Sequence, residues 1–162
     1  MKNPIIAVAL LAVSPLVLTA CESAEETTST PAEEEGRIAG IEITNARLVL
    51  PPVSGNPAAI YFDIANNGDR TLAFRNAEVT GSGKAEVHDT IMEDGKMVMG
   101  EAPPILVESG STVQFAPGGK HVMVFDLGRD VSEGSTVEVT LIAAGNKRHS
   151  FDAAVQAAGD AR

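Results

Sequence analysis

Residues 86–99 of the chain read EVHDTIMEDGKMVM, in which Asp94-Gly95 separates two strand-like runs. An Asp-Gly pair between such runs is a strong signal for a β-hairpin with a two-residue turn. This turn also predicts which side chains share one face of the ribbon. The facing pairs on that side are Met92 with Met97, Thr90 with Met99, and His88 with Glu101.

A short run further along the chain, His121-Val122-Met123, carries a second histidine and another methionine. Two residues apart on a strand, His121 and Met123 project from the same face. His88 and Met99 are diagonal neighbours on the hairpin, which places their side chains within reach of one another. If the strand lies beside the hairpin, two imidazoles and two thioethers can converge.

Such a set of donor atoms is suited to a soft metal ion. Thioether sulfur suits Cu(I), whereas hard cations prefer oxygen and structural zinc prefers thiolate or imidazole. All four donors are neutral, so bound Cu(I) keeps its positive charge. That charge is tolerated near water and is unfavourable in a deep core, and we therefore expect an exposed site.

The spacing His88-x10-Met99-x21-His121-x-Met123 resembles the signature of the periplasmic copper chaperones called PCu(A)C. The similarity extends over Ile41 to Val155 and includes several flanking segments. These are Asn56-Pro57-Ala58-Ala59-Ile60-Tyr61-Phe62, Asn66-Asn67-Gly68-Asp69, Glu93-Asp94-Gly95 and Pro117-Gly118-Gly119-Lys120-His121. The resemblance implies a cupredoxin-like Greek-key β-barrel or sandwich that carries Cu(I) on His88, Met99, His121 and Met123 to an apo acceptor such as a respiratory oxidase subunit.

The chain departs from the family at two places. Phe125 stands where related chains often carry another methionine, and the C-terminus, Ala157 to Arg162, lacks a His- and Met-rich tail. Met92 and Met97 share the ribbon face with Met99, and the family spacing selects Met99 as the ligand. Met92 and Met97 are then interpreted as lid or shell residues.

The N-terminus has the features of an export signal. Lys2 precedes a mostly apolar run from Ile5 to Leu18, which is too short to span a bilayer comfortably. Leu18-Thr19-Ala20-Cys21 resembles the lipobox of bacterial lipoproteins, in which the cysteine receives lipid. We therefore expect a signal peptide at residues 1–20, lipidation of Cys21 and a periplasmic, membrane-anchored protein; the alternative is a soluble exported protein whose cysteine is incidental.

Residues 21–36 contain six glutamates and, after Cys21, no large apolar side chain, so they predict an acidic disordered tether. The remainder, 37–162, has the length of a single domain. The whole chain carries a formal net charge of −10, and the domain without the tether is still acidic. The negative charge disfavours nucleic acid and anionic lipid as partners, and we expect no nucleic-acid partner. We also expect a monomer.

Short strand-like runs separated by Gly and Pro predict an all-β domain, either a sandwich or a barrel. Predicted strands lie in 41–50, 58–65, 71–79, 113–115, 121–127, 137–141 and 148–154, besides the hairpin. Cys21 is the only cysteine, so the domain has no thiolate for a blue-copper centre or for nucleophilic attack. The sequence also shows no Ser, His and Asp arrangement and no phosphate loop, and we therefore predict that the protein is not an enzyme.

Two other interpretations use the same residues. Histidines and methionines in a β-protein often serve only packing, which would leave a structural or binding lipoprotein. A copper-sequestering protein would use the same ligands as a delivery protein, and the sequence does not separate the two. His149 lies outside the spacing pattern and is interpreted as structural or solvent-facing, and neither Asp89 nor Glu101 is assigned a ligand role.

Overall fold

The computed structural model describes residues 36–159. The predicted signal peptide, Cys21 and all of the predicted tether except Gly36 lie outside these residues. Within them the chain forms ten strands and no helix. The strands are β1 (Ile41–Val49), β2 (Ala58–Asn66), β3 (Leu72–Val79), β4 (Lys84–Glu93), β5 (Lys96–Glu101), β6 (Ile105–Val107), β7 (Thr112–Phe115), β8 (His121–Phe125), β9 (Thr136–Ala143) and β10 (Lys147–Gln156).

All ten strands belong to one sheet with the order β5-β4-β8-β2-β1-β10-β9-β3-β6, and β7 also pairs with β2. Neighbouring strands are antiparallel except β1 and β10. The terminal strands β5 and β6 do not pair, so the sheet curls around its core without closing. The predicted all-β, cupredoxin-like fold is confirmed, in the form of an open barrel.

Strict alternation along the strands builds the core. In β2, Ile60, Phe62 and Ile64 are buried while the residues between them are partly exposed. Phe62 stacks on Phe115 of β7 with ring centroids 4.2 Å apart. One face of the sheet therefore holds the apolar side chains, and the other face is available for a site.

Strands β7 and β8 run along the same edge of β2 with an interruption between them. Phe115 pairs with Phe62, and Val122 pairs with Ile60. Residues 116–120 thus leave the sheet opposite a single residue of β2, Tyr61. Strand β4 pairs with β8 but not with β7. The turn end of the β4–β5 hairpin therefore extends past this excursion, and there β4 has β5 as its only neighbouring strand.

The structure differs from the sequence expectation in one additional strand, β6, and in the ends of several strands, of which β8 is shorter than expected and β9 and β10 are longer. Strand β6 was not predicted; it follows Pro103-Pro104, pairs with β3 and buries Ile105 and Val107. Three residues are too few for an alternating pattern to be visible in the sequence. Strand β8 ends at Phe125 rather than Leu127, because Asp126 adopts a φ of 51° that interrupts the extended backbone. No helix within the described residues is long and apolar enough to cross a membrane.

Candidate metal centre

The hairpin register is the one expected from the Asp-Gly turn. Asp94 and Gly95 have φ angles of 51° and 76°, the left-handed conformation at both central positions that a type I′ turn requires. Met92 pairs with Met97, and Thr90 pairs with Met99. The hairpin prediction is therefore confirmed residue by residue.

His121 is the first residue of β8 and is only 4% exposed. Its Nδ1 lies 2.9 Å from the carbonyl oxygen of Gly119, in the excursion between β7 and β8. A carbonyl oxygen only accepts, so Nδ1 carries the hydrogen of the neutral imidazole. The lone pair of Nε2 is consequently free to bind a metal.

His88 lies directly across from His121, on the neighbouring strand β4. The two ring centroids are 5.8 Å apart. Both side chains project from the outer face of the sheet, since Val87 and Val122 beside them are in the core. The two imidazoles therefore meet on the outer face of the sheet, beside the excursion, but little of either ring is exposed: His121 is 4% exposed and the His88 side chain 13%.

Glu86 determines which nitrogen of His88 is available. Its Oε2 lies 3.1 Å from His88 Nε2, and the hydrogen bond from Lys84, with a second from His88, lowers the pKa of the Glu86 carboxyl. An ionised carboxylate only accepts, so Nε2 donates to it. His88 Nδ1 then keeps its lone pair; it is one of two buried side-chain polar atoms in residues 36–159 that have no hydrogen-bond partner.

The two proposed sulfur ligands lie on the same outer face. Met123 follows His121 by two residues and lies across from Glu86. Met99 lies across from Thr90, diagonal to His88, and its side chain is 54% exposed. The structure thus brings the four predicted residues together on three adjacent strands, β5, β4 and β8.

Other residues near the site have different roles. The Asp89 carboxylate accepts from Lys120 Nζ at 2.9 Å and from the Thr90 N–H at 2.8 Å, so its oxygens are already engaged. The Phe125 ring lies 6.4 Å from the His88 ring, centroid to centroid. The Phe125 ring, tilted by 55° relative to the imidazole, is therefore an aromatic neighbour of His88.

His149 interacts with a different part of the fold. It is buried on β10, and its Nδ1 accepts a hydrogen bond from the Ile38 N–H at 3.0 Å. Burial lowers the pKa of its imidazole, Arg37 adds to this effect, and the Ile38 hydrogen bond opposes it. Of the two roles considered from the sequence, the structural one is correct.

Glu86 is a residue of the site that the family spacing does not indicate. A signal was present, since Glu86 precedes His88 by two residues and must share its face on a strand. Metal-binding histidines usually donate their second ring N–H to a carboxylate or a backbone carbonyl. His88 and His121 have one of each, from Glu86 and Gly119.

The donor set fits a soft monovalent ion better than a hard or divalent one. Within residues 36–159, no group of three or more His, Cys, Asp or Glu side chains is arranged to hold a metal ion. Two imidazoles with free lone pairs beside thioethers are instead typical of Cu(I) coordination. The expectation of an exposed site is met only at Met99, which is 54% exposed, because the two imidazoles are largely buried.

The open cupredoxin-like barrel is the fold of the PCuAC class of domain. The apo PCuAC domain from PmoF1 superposes with a TM-score of 0.62 at 26% identity, over 74% of this chain and 96% of that one. The solution structure of CuI-DR1885 from Deinococcus radiodurans gives a TM-score of 0.61 at 22% identity, over 81% of this chain and 87% of that one. The resemblance noted from the sequence is therefore confirmed.

The particular family follows from the sequence match. A family model described as "Putative lipoprotein LpqE-like" matches residues 41–155, and the chain belongs to this LpqE-like family. A protein of Leifsonia xyli subsp. xyli, "Putative lipoprotein Lxx21020", is 31% identical over 103 residues, which cover 63% of this chain and 61% of that protein. The chain thus spans about three fifths of the length of this curated relative.

Proposed function

We propose that the protein is a non-enzymatic Cu(I) carrier that binds one ion through His88, Met99, His121 and Met123. The observation that carries this proposal is the facing pair of imidazoles, each with one nitrogen engaged and the other free. Preset ring orientations lower the cost of ordering the ligands. Two neutral thioethers on the same face supply the soft donors that favour Cu(I) over Zn²⁺.

The position of the site supports delivery rather than storage. Met99 is 54% exposed, whereas His121 is only 4% exposed, so Met99 is the accessible ligand of the site. An acceptor's ligands can therefore approach as these ligands leave, so the ion passes by ligand exchange without changing its oxidation state. Storage of the ion does not require an accessible ligand such as Met99.

We further propose the setting in which this transfer takes place. Cys21 carries the lipid that holds the protein at the membrane in the periplasm, and the acidic tether of residues 21–36 separates the domain from it. The acceptor is an apo copper protein such as a respiratory oxidase subunit. The family description as a lipoprotein supports the anchor.

Anaerobic titration against a coloured Cu(I) chelator tests the binding. We expect one tight equivalent, which is lost in His88→Ala and in Met123→Leu. His149→Asn is the matched control, because it removes the third imidazole without altering the outer face. Unchanged chelator colour on addition of the folded protein would contradict the proposal.

Transfer requires a second measurement. Cu(I)-loaded protein is mixed with the purified apo copper domain of an oxidase, and the two proteins are separated for metal analysis. We expect the copper to appear on the acceptor. Retention on this protein, with an acceptor that takes up free Cu(I), would instead favour sequestration.

A further inference from the structure

Two methionines outside the proposed ligand set occupy an unusual position. Met92 and Met97 are 68% and 70% exposed, among the most exposed large apolar side chains of the described residues. They lie at the end of the β4–β5 hairpin, where β5 is the only strand that pairs with β4. Thioethers in such a place bury little surface and contribute little to folding.

The register brings the two sulfurs together. Glu93 and Lys96 flank the turn, and in a two-residue hairpin this flanking pair is the hydrogen-bonded one. Met92 and Met97, the next pair, are therefore a non-hydrogen-bonded pair, whose side chains approach more closely. Methionine has three rotatable side-chain bonds, so both sulfurs can reach a single ion.

Met99 links this pair to the proposed copper site. It lies on the same ribbon face, diagonal to Met92 on one side and to His88 on the other. Diagonal neighbours in a sheet are about 7–8 Å apart, within reach of long side chains. The outer face thus carries a continuous row of soft donors from the hairpin tip to the two histidines.

The turn itself does not require methionine. Its geometry depends on Asp94 and Gly95, and β-branched or charged residues would suit the exposed flanking positions better. The other face of the hairpin tip carries Ile91 and Val98, which are also exposed but contain no metal-binding atom. The sulfur atoms of the tip are therefore concentrated on the face that holds the histidines.

We propose that Met92 and Met97 form a second, thioether-only site for a soft monovalent metal ion, with Met99 shared between this site and the first. The ion moves between the sites by exchange of neutral ligands, so no electron or proton is transferred. Two thioethers without imidazole bind more weakly than the four-ligand set, which suits an entry and exit station. The transfer role rests on the proposed function, whereas the binding of metal by this pair does not.

Methionine methyl NMR with Ag(I), a soft monovalent probe, tests the proposal. Four of the five methionines of the chain, Met92, Met97, Met99 and Met123, follow the predicted signal peptide, and single Met→Leu variants assign their methyl signals. We expect the first equivalent of Ag(I) to shift Met99 and Met123, and the second to shift Met92 and Met97. If the second equivalent leaves Met92 and Met97 unchanged after the first has bound, this inference is wrong and the proposed function stands.

Variants separate sulfur binding from loss of apolar surface. Met92→Leu/Met97→Leu conserves volume at exposed positions and should remain folded; we expect it to keep the first equivalent, lose the second, and release Cu(I) to a competing chelator more slowly. Ile91→Leu/Val98→Leu, on the opposite face, is the control and should behave as wild type. A first equivalent that shifts neither Met99 nor Met123 would overturn the proposed function, and unchanged release in the methionine variant would overturn the transfer role.

Discussion

The contact between Glu86 and His88 leads to a specific prediction for Glu86→Gln. The carboxylate accepts a hydrogen bond from His88 Nε2 at 3.1 Å and so holds the imidazole in the tautomer that leaves Nδ1 free. A glutamine amide is a weaker acceptor, and its NH₂ group can donate to Nε2 instead. That alternative moves the hydrogen of His88 to Nδ1, where it blocks metal binding.

The size of the effect follows from the role of Glu86. Loss of a group that orients a metal-binding histidine typically lowers metal affinity by roughly 10- to 100-fold. Because glutamine can still accept in one of its two orientations, we expect about tenfold weaker Cu(I) binding, equivalent to ~1.4 kcal/mol. Glu101→Gln is the matched control. Glu101 is another neighbour of His88, directly across from it on β5, and the change in charge is the same.

Competition with a Cu(I) chelator measures the affinity of each variant, and ¹⁵N NMR of the apo protein reports the tautomer of His88. We expect hydrogen on Nε2 in the wild type, a mixture in Glu86→Gln, and wild-type behaviour in Glu101→Gln. An equal loss of affinity in both variants would show that charge, and not ring orientation, is responsible. Wild-type affinity in Glu86→Gln would refute the orienting role altogether.

Two further predictions concern stability. The buried Asn66 donates from Nδ2 to the carbonyl oxygens of Arg70 and Val107 at 2.8 and 2.9 Å. Because an ionised aspartate cannot donate, Asn66→Asp should lower the free energy of unfolding by roughly 2–5 kcal/mol. An unchanged midpoint of urea unfolding would contradict this expectation. Burial lowers the pKa of His149 in the folded protein below its ordinary 6.5. The unfolded chain therefore binds the proton at a higher pH than the folded protein does, and the free energy of unfolding decreases as the pH falls below 6.5. Urea unfolding at about pH 7.5 and about pH 5 should show a smaller loss for His149→Asn than for wild type, because asparagine can accept from the Ile38 N–H without titrating.

Local chemistry made the hairpin predictable. Asp94-Gly95 admits few turns, and once the turn is known each facing pair follows from the two-residue period of a strand. For the same reason His121 and Met123 could be assigned to one face. The neighbouring position of β8 and β4 came from family resemblance, because pairing between distant strands leaves little local trace.

The features that the sequence did not predict are those that depend on distant contacts. Strand β6 is defined by its pairing with β3, and its three residues carry no period. The excursion between β7 and β8 looks like an ordinary Gly-rich turn in the sequence, yet its Gly119 carbonyl orients His121. Likewise, Glu86 gains its importance from the side chain that it meets, not from any motif.

The outer-face position of His88 and His121 has a consequence for the working life of the protein. Val87 and Val122, on the reverse side of the same strands, belong to the apolar interior. The packing of β4 and β8 against the core therefore does not use the imidazole side chains. A carrier of the kind proposed above would keep this packing when its ion leaves.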